Sequence, residues 1–408
     1  MARITDSNRA ATRWTIRIIP VFIIAVFGLA IYAVVYRLLV QYLYREKGQS
    51  AIVAALLFLF FLFFLLTLAA YLRTLFTIQL DPGLVPLLDE GEPNEKGKRK
   101  GQGKGRRWRR SRDDAEAAWV PPDPSLDSPG LEQFYSKDVF VCEADGRPKW
   151  CSDCAQWKPD RAHHSSELGR CVRKMDHLCP WVGGMVSETS FNFFSQFVFY
   201  TTCLCAVSVA TAAYCLQQQI DDGRTTPDGW VVAVLVIAAF FGLFTFAMVL
   251  TSARYVVTNM TNIDVLRRRH TLHLALRIPR DTPLTDAYAT IVYPLQPTPQ
   301  AADGAATDGL EPSSRDRQAT RLFAIVPAEP RENPWDLGFW RNWKSVMGSN
   351  VLEWLLPMKH SPCCDHDGME SDYELGRLLP ALRARYAVPD LPADGPRPSE
   401  TAEPGSGQ

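Results

Sequence analysis

The sequence predicts an all-α polytopic membrane protein with four transmembrane helices and a small cysteine-rich cytosolic module between the second and third helices. Three observations predict this fold. Four apolar runs between positions 18 and 250 are each about long enough to cross the roughly 30 Å hydrocarbon core of a bilayer. The rest of the chain is polar, with 44 Lys and Arg residues against 44 Asp and Glu residues. Cysteine, histidine and tryptophan concentrate between positions 140 and 192.

The four apolar runs define the predicted helices. Three of them contain no Asp, Glu, Lys, Arg or His, and the third run is less apolar at its start. A cleaved signal peptide is the alternative for the first run, but that run exceeds the roughly 7–15 residues of a signal core, and three more runs follow. The predicted spans are Ile18 to Tyr36, Ala51 to Leu72, about Phe193 to Leu216, and Trp230 to Leu250.

The distribution of Lys and Arg predicts the orientation. Ten basic residues lie between positions 96 and 112, and four arginines precede the first run. The loop between the third and fourth runs has Arg224 against three aspartates. We therefore expect both termini and the central segment in the cytosol, although the first short loop, with Arg37, Arg45 and Lys47, fits this rule less well.

These features divide the chain into six predicted segments. The basic run either binds anionic lipid of the cytosolic leaflet or serves as a solvated linker. The aromatic stretch Asn333 to Gly348 is expected to be amphipathic and to lie on the bilayer or on other cytosolic parts. The zero net charge excludes a globally basic nucleic-acid binder. The segments are a cytosolic N-terminus (1–17), helices 1 and 2 (18–72), a basic linker (73–139), the cysteine-rich module (140–192), helices 3 and 4 (193–250) and a partly disordered cytosolic C-terminal region (251–408).

The module contains the spacing of a zinc site. Cys151 and Cys154 form a CxxC pair, which places two thiolates around one ion at about 2.3 Å. His163 or His164, together with Cys171, can complete a tetrahedral set. A redox-active CxxC is the alternative, but no thioredoxin-like βαβ pattern surrounds it.

The segment Asp176-His177-Leu178-Cys179 has the residue types of a nucleophilic site. A histidine can accept the proton of a neighbouring thiol, and an aspartate can orient that imidazole. The alternative is that Cys179 is one more zinc ligand. Cys179 lies about a dozen residues before the third span, which places it at the cytosolic membrane surface. A long-chain acyl thioester is a reagent suited to that position, because its tail dissolves in the bilayer while its head stays in water.

With four spans around it, this module resembles the DHHC-type protein S-acyltransferases (palmitoyltransferases). Asp81-Pro82-Gly83 follows the second span as the family's Asp-Pro-Gly does. Thr261-Asn-Ile-Asp264 after the fourth span is similar to the family's Thr-Thr-x-Glu, with two substitutions. Asn333 to Gly348 resembles the family's C-terminal aromatic motif.

The resemblance implies a two-step acyl transfer. Cys179 would attack the thioester of palmitoyl-CoA or a similar long-chain acyl-CoA, and a cysteine thiolate of a substrate protein would then take the acyl group. His177 would be the general base and Asp176 its orienting partner. The implied partners are acyl-CoA, proteins with membrane-proximal cysteines, and the lipid bilayer.

The phosphates of CoA need cations near the nucleophile. Three basic residues of the module lie at plausible positions for binding them, and the alternative for each is an ordinary solvated charge. These predicted residues are Lys149, Lys158 and Arg161.

The chain departs from the family at one of its two zinc sites. Alignment with the family preserves the first site as Cys151, Cys154, His164 and Cys171. At the second site all four ligands are replaced, and the replacing residues are Ser165, Leu168, Leu178 and Met185. The chain resembles fungal members with an Asp-His-x-Cys form followed by Val-Gly-Gly, here Val182-Gly183-Gly184. We therefore expect one zinc ion, with the three apolar residues packing as a small core where the second ion would lie.

Two other functional classes deserve comparison. An ion channel or transporter usually carries charged residues within the membrane, and these spans have none. A catalytically weak zinc scaffold that recruits partner proteins is the stronger alternative, because Leu178 and the missing second site favour it.

Overall fold

The computed structural model describes residues 18–87, 130–283, 285–293, 320–366 and 373–391. The chain forms two compact units. The first comprises residues 1–118, 151–268 and 333–376, and the second comprises residues 119–150, 269–332 and 377–408. The predicted cytosolic N-terminus (1–17) and the basic run at 96–112 lie outside the described residues.

Four helices are long and apolar enough to cross a membrane, so the chain is a multi-pass membrane protein. Each extends beyond the apolar run that predicted it, because polar residues continue the helix past the hydrocarbon core. These long helices are α1 (Ile18–Glu46), α2 (Ser50–Leu80), α4 (Phe191–Asp221) and α5 (Gly229–Thr258). The short helices are α3 (Glu132–Tyr135), α6 (Asn262–Arg267), α7 (Phe339–Met347), α8 (Val351–Leu355) and α9 (Leu378–Arg385).

The prediction of an all-α fold is wrong, because both units contain β-strands. Six of the strands are only two or three residues long, too short to produce an alternating pattern in the sequence. The strands are β1 (Val139–Cys142), β2 (Trp150–Cys151), β3 (Gln156–Trp157), β4 (His163–Ser165), β5 (Arg170–Val172), β6 (His177–Cys179), β7 (Gly184–Val186), β8 (Leu272–Ile278), β9 (Ala289–Tyr293) and β10 (Arg321–Ala328).

The second unit contains a four-stranded antiparallel sheet in the order β1-β8-β10-β9. Its core is aromatic: the rings of Phe140, Tyr293 and Phe323 lie edge to face, with centroids 5.4 to 5.8 Å apart. The Tyr293 hydroxyl donates a hydrogen bond to the carbonyl of Gly146 at 2.5 Å. In the central strand β10 five of the eight residues are buried, and all of the strand after Arg321 is apolar.

In the first unit α4 is the central membrane helix and packs against α1, α2 and α5. Helix α5 begins at a conventional N-cap, where the Asp228 carboxylate accepts the backbone N–H of Trp230 at 2.7 Å. The helix ends before the C-cap residue Asn259, whose φ of 46° lies in the left-handed region. This packing brings the ends of α2, α4 and α5 together beside the cysteine-rich module.

Basic residues of α1 and of the short loop after it form ion pairs with aspartates at the α4–α5 loop. Arg37 at the end of the predicted first span lies 3.7 Å from Asp228, and Lys47 pairs with Asp222. The first loop and the α4–α5 loop therefore lie at the same end of the helices. Two of the three cations that fit the orientation rule poorly, Arg37 and Lys47, therefore have acidic partners at the α4–α5 loop.

The C-terminal part of the first unit is attached to the membrane helices. Gln196 of α4 donates hydrogen bonds from Nε2 to the carbonyls of Glu353 and Trp354, at 2.8 and 3.1 Å. The Tyr200 hydroxyl donates to the carbonyl of Leu355. These contacts hold α8 beside α4. Placement of the preceding aromatic stretch on the bilayer surface remains a prediction.

Candidate active site

Four metal-binding side chains meet in the first unit. Cys151 and Cys154 flank the turn before β3, while His164 and Cys171 are paired across the hairpin β4–β5. Their ligand atoms all lie within 4.8 Å of one another. Nδ1 of His164 is 3.5 Å from Sγ of Cys151 and 3.4 Å from Sγ of Cys154. Of the two adjacent histidines, His164 is therefore the one that joins the group.

The donor set of this cluster fits a zinc ion. Three thiolates and one imidazole form a tetrahedral set typical of structural zinc sites. A hydrogen bond from Cys171 outweighs burial and lowers the pKa of Cys151 to about 5, whereas burial raises the pKa of Cys154 and the hydrogen bond with Cys151 raises that of Cys171. The Asp153 carboxylate lies 3.6 Å from Nε2 of His164, where it can orient a metal-binding imidazole. When bound, zinc supplies a structural cross-link between the CxxC turn and the β4–β5 hairpin.

The segment after α2 connects the membrane helices to this cluster. Gly83, in the Asp81-Pro82-Gly83 motif, has a φ of 73°, which favours glycine. Its carbonyl accepts the N–H of Arg173 at 2.8 Å, and the N–H of Val85 donates to the carbonyl of Cys171 at 2.9 Å. The motif therefore holds the end of α2 against β5.

Cys179 lies at the junction between the module and the membrane helices. It is the last residue of β6 and pairs with Gly184 of β7. Its side chain is only 5% exposed and belongs to an apolar cluster that includes Tyr71 of α2 and Phe194 and Phe197 of α4. A long acyl chain attached to this thiol would therefore begin among apolar side chains.

The histidine two residues earlier is held by a carboxylate. Oδ2 of Asp176 accepts a hydrogen bond from Nδ1 of His177 at 2.6 Å. Nε2 of His177 is buried, and no residue that the structure describes forms a hydrogen bond with it. Burial lowers the pKa of His177, but the hydrogen bond to Asp176 and the interaction with Cys179 outweigh it and raise the pKa to about 9. The imidazole is thus suited to taking the proton of the thiol.

Both oxygens of Asp176 are occupied. Oδ1 accepts the backbone N–H of Asn262, the first residue of α6, at 2.8 Å. Helix α6 begins with a capping box, in which the side chains of Thr261 and Asp264 each accept the backbone N–H of the other residue. The motif after the fourth membrane helix therefore fixes the carboxylate that orients His177.

The prediction that Arg161 is a surface cation for CoA is wrong. Its side chain is 1% exposed, and Nη2 lies 2.5 Å from the Asp264 carboxylate. Nη1 donates to Oδ1 of Asn259 at 3.0 Å, and the guanidinium lies 4.7 Å from the centroid of the Trp335 ring. Despite burial, the charge of Arg161 lowers the pKa of Asp264. Arg161 therefore connects α6 to the C-terminal aromatic segment.

The other two predicted cations differ in location. Lys158 belongs to the first unit, is half-buried and lies near Cys151. Lys149 belongs to the second unit and is also half-buried. Their binding of CoA phosphates remains a prediction.

Three of the four residues that replace the second zinc site line a groove instead of forming a packed core. Leu178 and Met185 are paired across the hairpin β6–β7, and Leu168, in the turn between β4 and β5, is 41% exposed. All three line a groove of about 410 Å³, while Ser165 is buried beside it. The prediction that Leu168, Leu178 and Met185 pack together as a small core is therefore wrong, because the exposed Leu168 side chain does not cover the other two.

Comparison with known proteins agrees with this geometry. Residues 144–269 match the family model of DHHC palmitoyltransferases. The chain is 40% identical over 401 residues to palmitoyltransferase pfa5 of Aspergillus fumigatus, covering 90% of this chain and 88% of that protein. It is 34% identical over 417 residues to palmitoyltransferase pfa5 of Emericella nidulans, covering 90% and 85%. The chain belongs to the DHHC palmitoyltransferase family.

More distant relatives match a smaller part of the chain. Palmitoyltransferase PFA3 of Saccharomyces cerevisiae is 30% identical over 240 residues, which cover 56% of this chain and 58% of that protein. The family and its curated relatives make this DHHC palmitoyltransferase an enzyme of the protein S-acyltransferase class.

Two positioning features of this DHHC palmitoyltransferase were not predicted. Asp153, inside the CxxC turn, is exposed and carries no sequence pattern that marks it as a partner of His164. The contact of Asn262 with Asp176 joins residues 86 positions apart. A threonine followed three residues later by an acidic residue does predict the start of α6, but it does not predict what lies against that helix.

The raised pKa of His177 predicts a pH effect for Asp176→Asn. Removing the carboxylate lowers the pKa of His177, so the imidazole takes the proton of Cys179 less readily. We expect alkylation of Cys179 at pH 7 to be slower than in the wild type. The rate of Cys179 alkylation between pH 5 and 10 measures this, and an unchanged profile would contradict the role of Asp176.

Gly184 sets how closely α2 approaches the hairpin β6–β7. A Cβ atom at this position would lie 2.6 Å from Cγ2 of Ile78, so Gly184→Ala should push the hairpin and α2 apart. Such overpacking typically costs about 1–3 kcal/mol of stability, and we expect a lower melting temperature together with slower acylation. Thermal unfolding in detergent measures the first effect. Gly229→Ala is the control, because a Cβ atom there meets nothing within 4 Å.

Proposed function

We propose that the DHHC palmitoyltransferase described here uses Cys179 as its nucleophile, His177 as its general base and Asp176 as the group that orients the base. The observation that carries the proposal is the placement of a buried thiol against an apolar helix cluster, beside a histidine whose other nitrogen is held by Asp176 at 2.6 Å. Such an arrangement activates a thiol without a second metal ion.

The reaction proceeds as two thioester exchanges. His177 accepts the proton of Cys179, and the thiolate attacks the carbonyl carbon of the acyl-CoA thioester. The bond between that carbon and the CoA sulfur breaks, and CoA leaves as a thiol with the proton from His177. In the second step the thiol of a substrate cysteine loses its proton to His177 and takes the acyl group, which regenerates Cys179.

The proposed donor is palmitoyl-CoA or a similar long-chain acyl-CoA, and the acceptors are proteins with cysteines close to the membrane. The acyl chain lies among the apolar side chains of α2 and α4 that surround Cys179. Lys158 and Lys149 remain the proposed contacts for CoA phosphates, and Arg161 is excluded because it is already paired with Asp264.

We also propose one structural zinc ion per chain, held by the cluster that contains Cys151. Within the described residues, one group of three or more potential ligands has its donor atoms close enough together to hold an ion. The side chains at the four positions of the second site offer one hydroxyl, one thioether and two aliphatic groups. None of these is a ligand type that zinc prefers.

Leu178→His restores the family's usual motif and tests the zinc count. The introduced imidazole would face Leu168, Met185 and Ser165, which supply no thiolate or imidazole. We therefore expect zinc to stay at about one ion per chain, with no gain in acylation. Metal analysis of the purified variant measures this, and a second tightly bound ion would contradict the assignment.

The orientation and segment boundaries predicted from the sequence belong to the same proposal. The basic residues near the span ends favour a cytosolic location for both termini and for the catalytic module. The charge pairs between the two short loops support a shared location for those loops, at the opposite end of the helices.

The experiment that tests the enzyme against the scaffold alternative is single-turnover labelling. The full chain in detergent is incubated with radiolabelled palmitoyl-CoA and then treated with neutral hydroxylamine, which cleaves thioesters. The enzyme gains label that hydroxylamine removes. Absence of such label from folded, zinc-containing protein would favour the scaffold.

A further inference from the structure

The groove that replaces the second zinc site lies between the membrane helices and the catalytic hairpin. Leu75 and Ile78 near the end of α2 form one wall, and Leu178 and Met185 form the opposite wall. Pro20, at the start of α1, lines it from the membrane side. Its volume of about 410 Å³ falls within the range of roughly 300–1,000 Å³ typical of small-molecule sites.

The side chains that line the groove are mostly aliphatic and offer few hydrogen-bond partners to water. Ordered water in a buried cavity normally makes two to four hydrogen bonds to polar partners. Among the lining side chains that carry amide or carboxyl groups, Gln79 already donates its Nε2 hydrogen to the carbonyl of Gly183 at 2.8 Å. An apolar ligand fits the walls better than water does.

Exposed apolar side chains of two membrane-spanning helices adjoin residues that line the groove. Next to Pro20, the side chains of Ile18, Val21 and Phe22 are 57%, 68% and 57% exposed on a helix that crosses the membrane. At the other side, Leu80 of α2 is 83% exposed. A lipid chain lying against these helices is therefore close to the residues that line the groove.

One polar atom of the lining lacks a partner. Oε2 of Glu167, in the turn between β4 and β5, is buried and accepts no hydrogen bond from any residue that the structure describes. A buried carboxylate oxygen without a donor is costly, and a charged N–H donor satisfies it best. The ligand that fits both features has an aliphatic chain and an ammonium group.

We propose that this groove binds a phospholipid with a primary ammonium head group, such as phosphatidylethanolamine, from the adjacent leaflet. The ammonium group pairs with Glu167, and one acyl chain lies between α2 and the hairpin β6–β7. The lipid then occupies the position of the missing zinc ion and supports the same hairpin. Because side chains alternate along a strand, Leu178 faces the lipid while Cys179 faces the opposite side.

The test uses the full chain in phosphatidylcholine nanodiscs that contain a trace of photoreactive lipid. The probe is phosphatidylethanolamine with a diazirine in one acyl chain, and the comparison is the matching phosphatidylcholine probe. After irradiation, mass spectrometry should find label on residues 165–186. We expect about tenfold more label from the ethanolamine probe, the difference that one charge-assisted hydrogen bond supports.

Three variants make the test specific. Leu168→Trp fills the groove and should abolish the label, whereas Ser166→Trp, in the same turn but outside the groove lining, should not. Glu167→Gln should remove the preference for ethanolamine over choline. Zinc content of each variant checks that the module is folded.

Three results would overturn the proposal. The first is label confined to the lipid-facing side of α1 and α2. The second is equal labelling by the two probes in the wild type. The third is labelling of the same residues by a diazirine palmitoyl group carried on Cys179, which would assign the groove to the acyl group of the reaction.

Discussion

Replacing Cys179 by serine is expected to abolish formation of the acyl-enzyme. The serine hydroxyl is a far weaker nucleophile than a thiol at neutral pH, and the pair of His177 and Asp176 is arranged for a thiol two residues away. The substitution changes one atom in a buried position, so expression and zinc content should remain at the level of the wild type. Hydroxylamine-sensitive labelling by radiolabelled palmitoyl-CoA should fall to background.

A matched control is available in Cys203→Ser. Cys203 lies in α4, outside the zinc cluster and the hairpin, so its replacement should leave the labelling intact. The labelling rate of His177→Ala should lie between those of the two serine variants, because a general base typically contributes about 10²–10⁴-fold to the rate. Full labelling of the Cys179→Ser variant would show that another cysteine is the nucleophile and would refute the proposed mechanism.

Replacing Cys151 by alanine is expected to remove the zinc ion and unfold the module. In zinc-stabilised units of this size, metal binding supplies apparent free energies of about 10–16 kcal/mol at pH 7, so binding and folding are one equilibrium. The apolar cluster around the site is small, with Val85, Ala162 and the cysteines themselves. Without the ion, little else holds β4–β5 to the CxxC turn.

The loss should appear in two measurements. Metal analysis should find less than a tenth of the zinc of the wild type, since a tenfold loss corresponds to only about 1.4 kcal/mol, and limited proteolysis should cleave within residues 151–186. Cys203→Ala controls for the loss of a thiol elsewhere. A Cys151→Ala variant that keeps stoichiometric zinc and resists proteolysis would show that the ligand set is assigned wrongly.

The motif after the fourth span connects the proposed catalytic residues to the C-terminal region. Asp176 is held by the N–H of Asn262, whose helix is in turn paired through Asp264 with Arg161. Arg161 also contacts the ring of Trp335 in the aromatic segment. A buried ion pair of this kind is costly to break from one side. The orientation of His177 thus depends on residues far away in the sequence.

The sequence alone determined the four membrane-spanning helices and the cysteine and histidine cluster that can hold a metal ion. Apolar runs of this length have no other stable fold in a bilayer than helices, because all backbone hydrogen bonds must be made internally. The spacing of Cys151 and Cys154 is equally local, since two thiolates on one turn reach a common ion. Such features depend on neighbours in the chain, so they can be predicted from one sequence.

Only the tertiary structure decided the features that depend on distant residues. In the four-stranded sheet β1 and β8 pair although they lie more than a hundred residues apart, and the long apolar runs gave no indication of this sheet. Arg161 was expected at the surface because an arginine in a polar segment usually lies there, yet Asp264 and Trp335 bury it. The groove beside Leu178 likewise exists because α1, α2 and two hairpins meet there. The free energy of burial and pairing depends on which side chains meet in space, and the order of residues along the chain does not specify that.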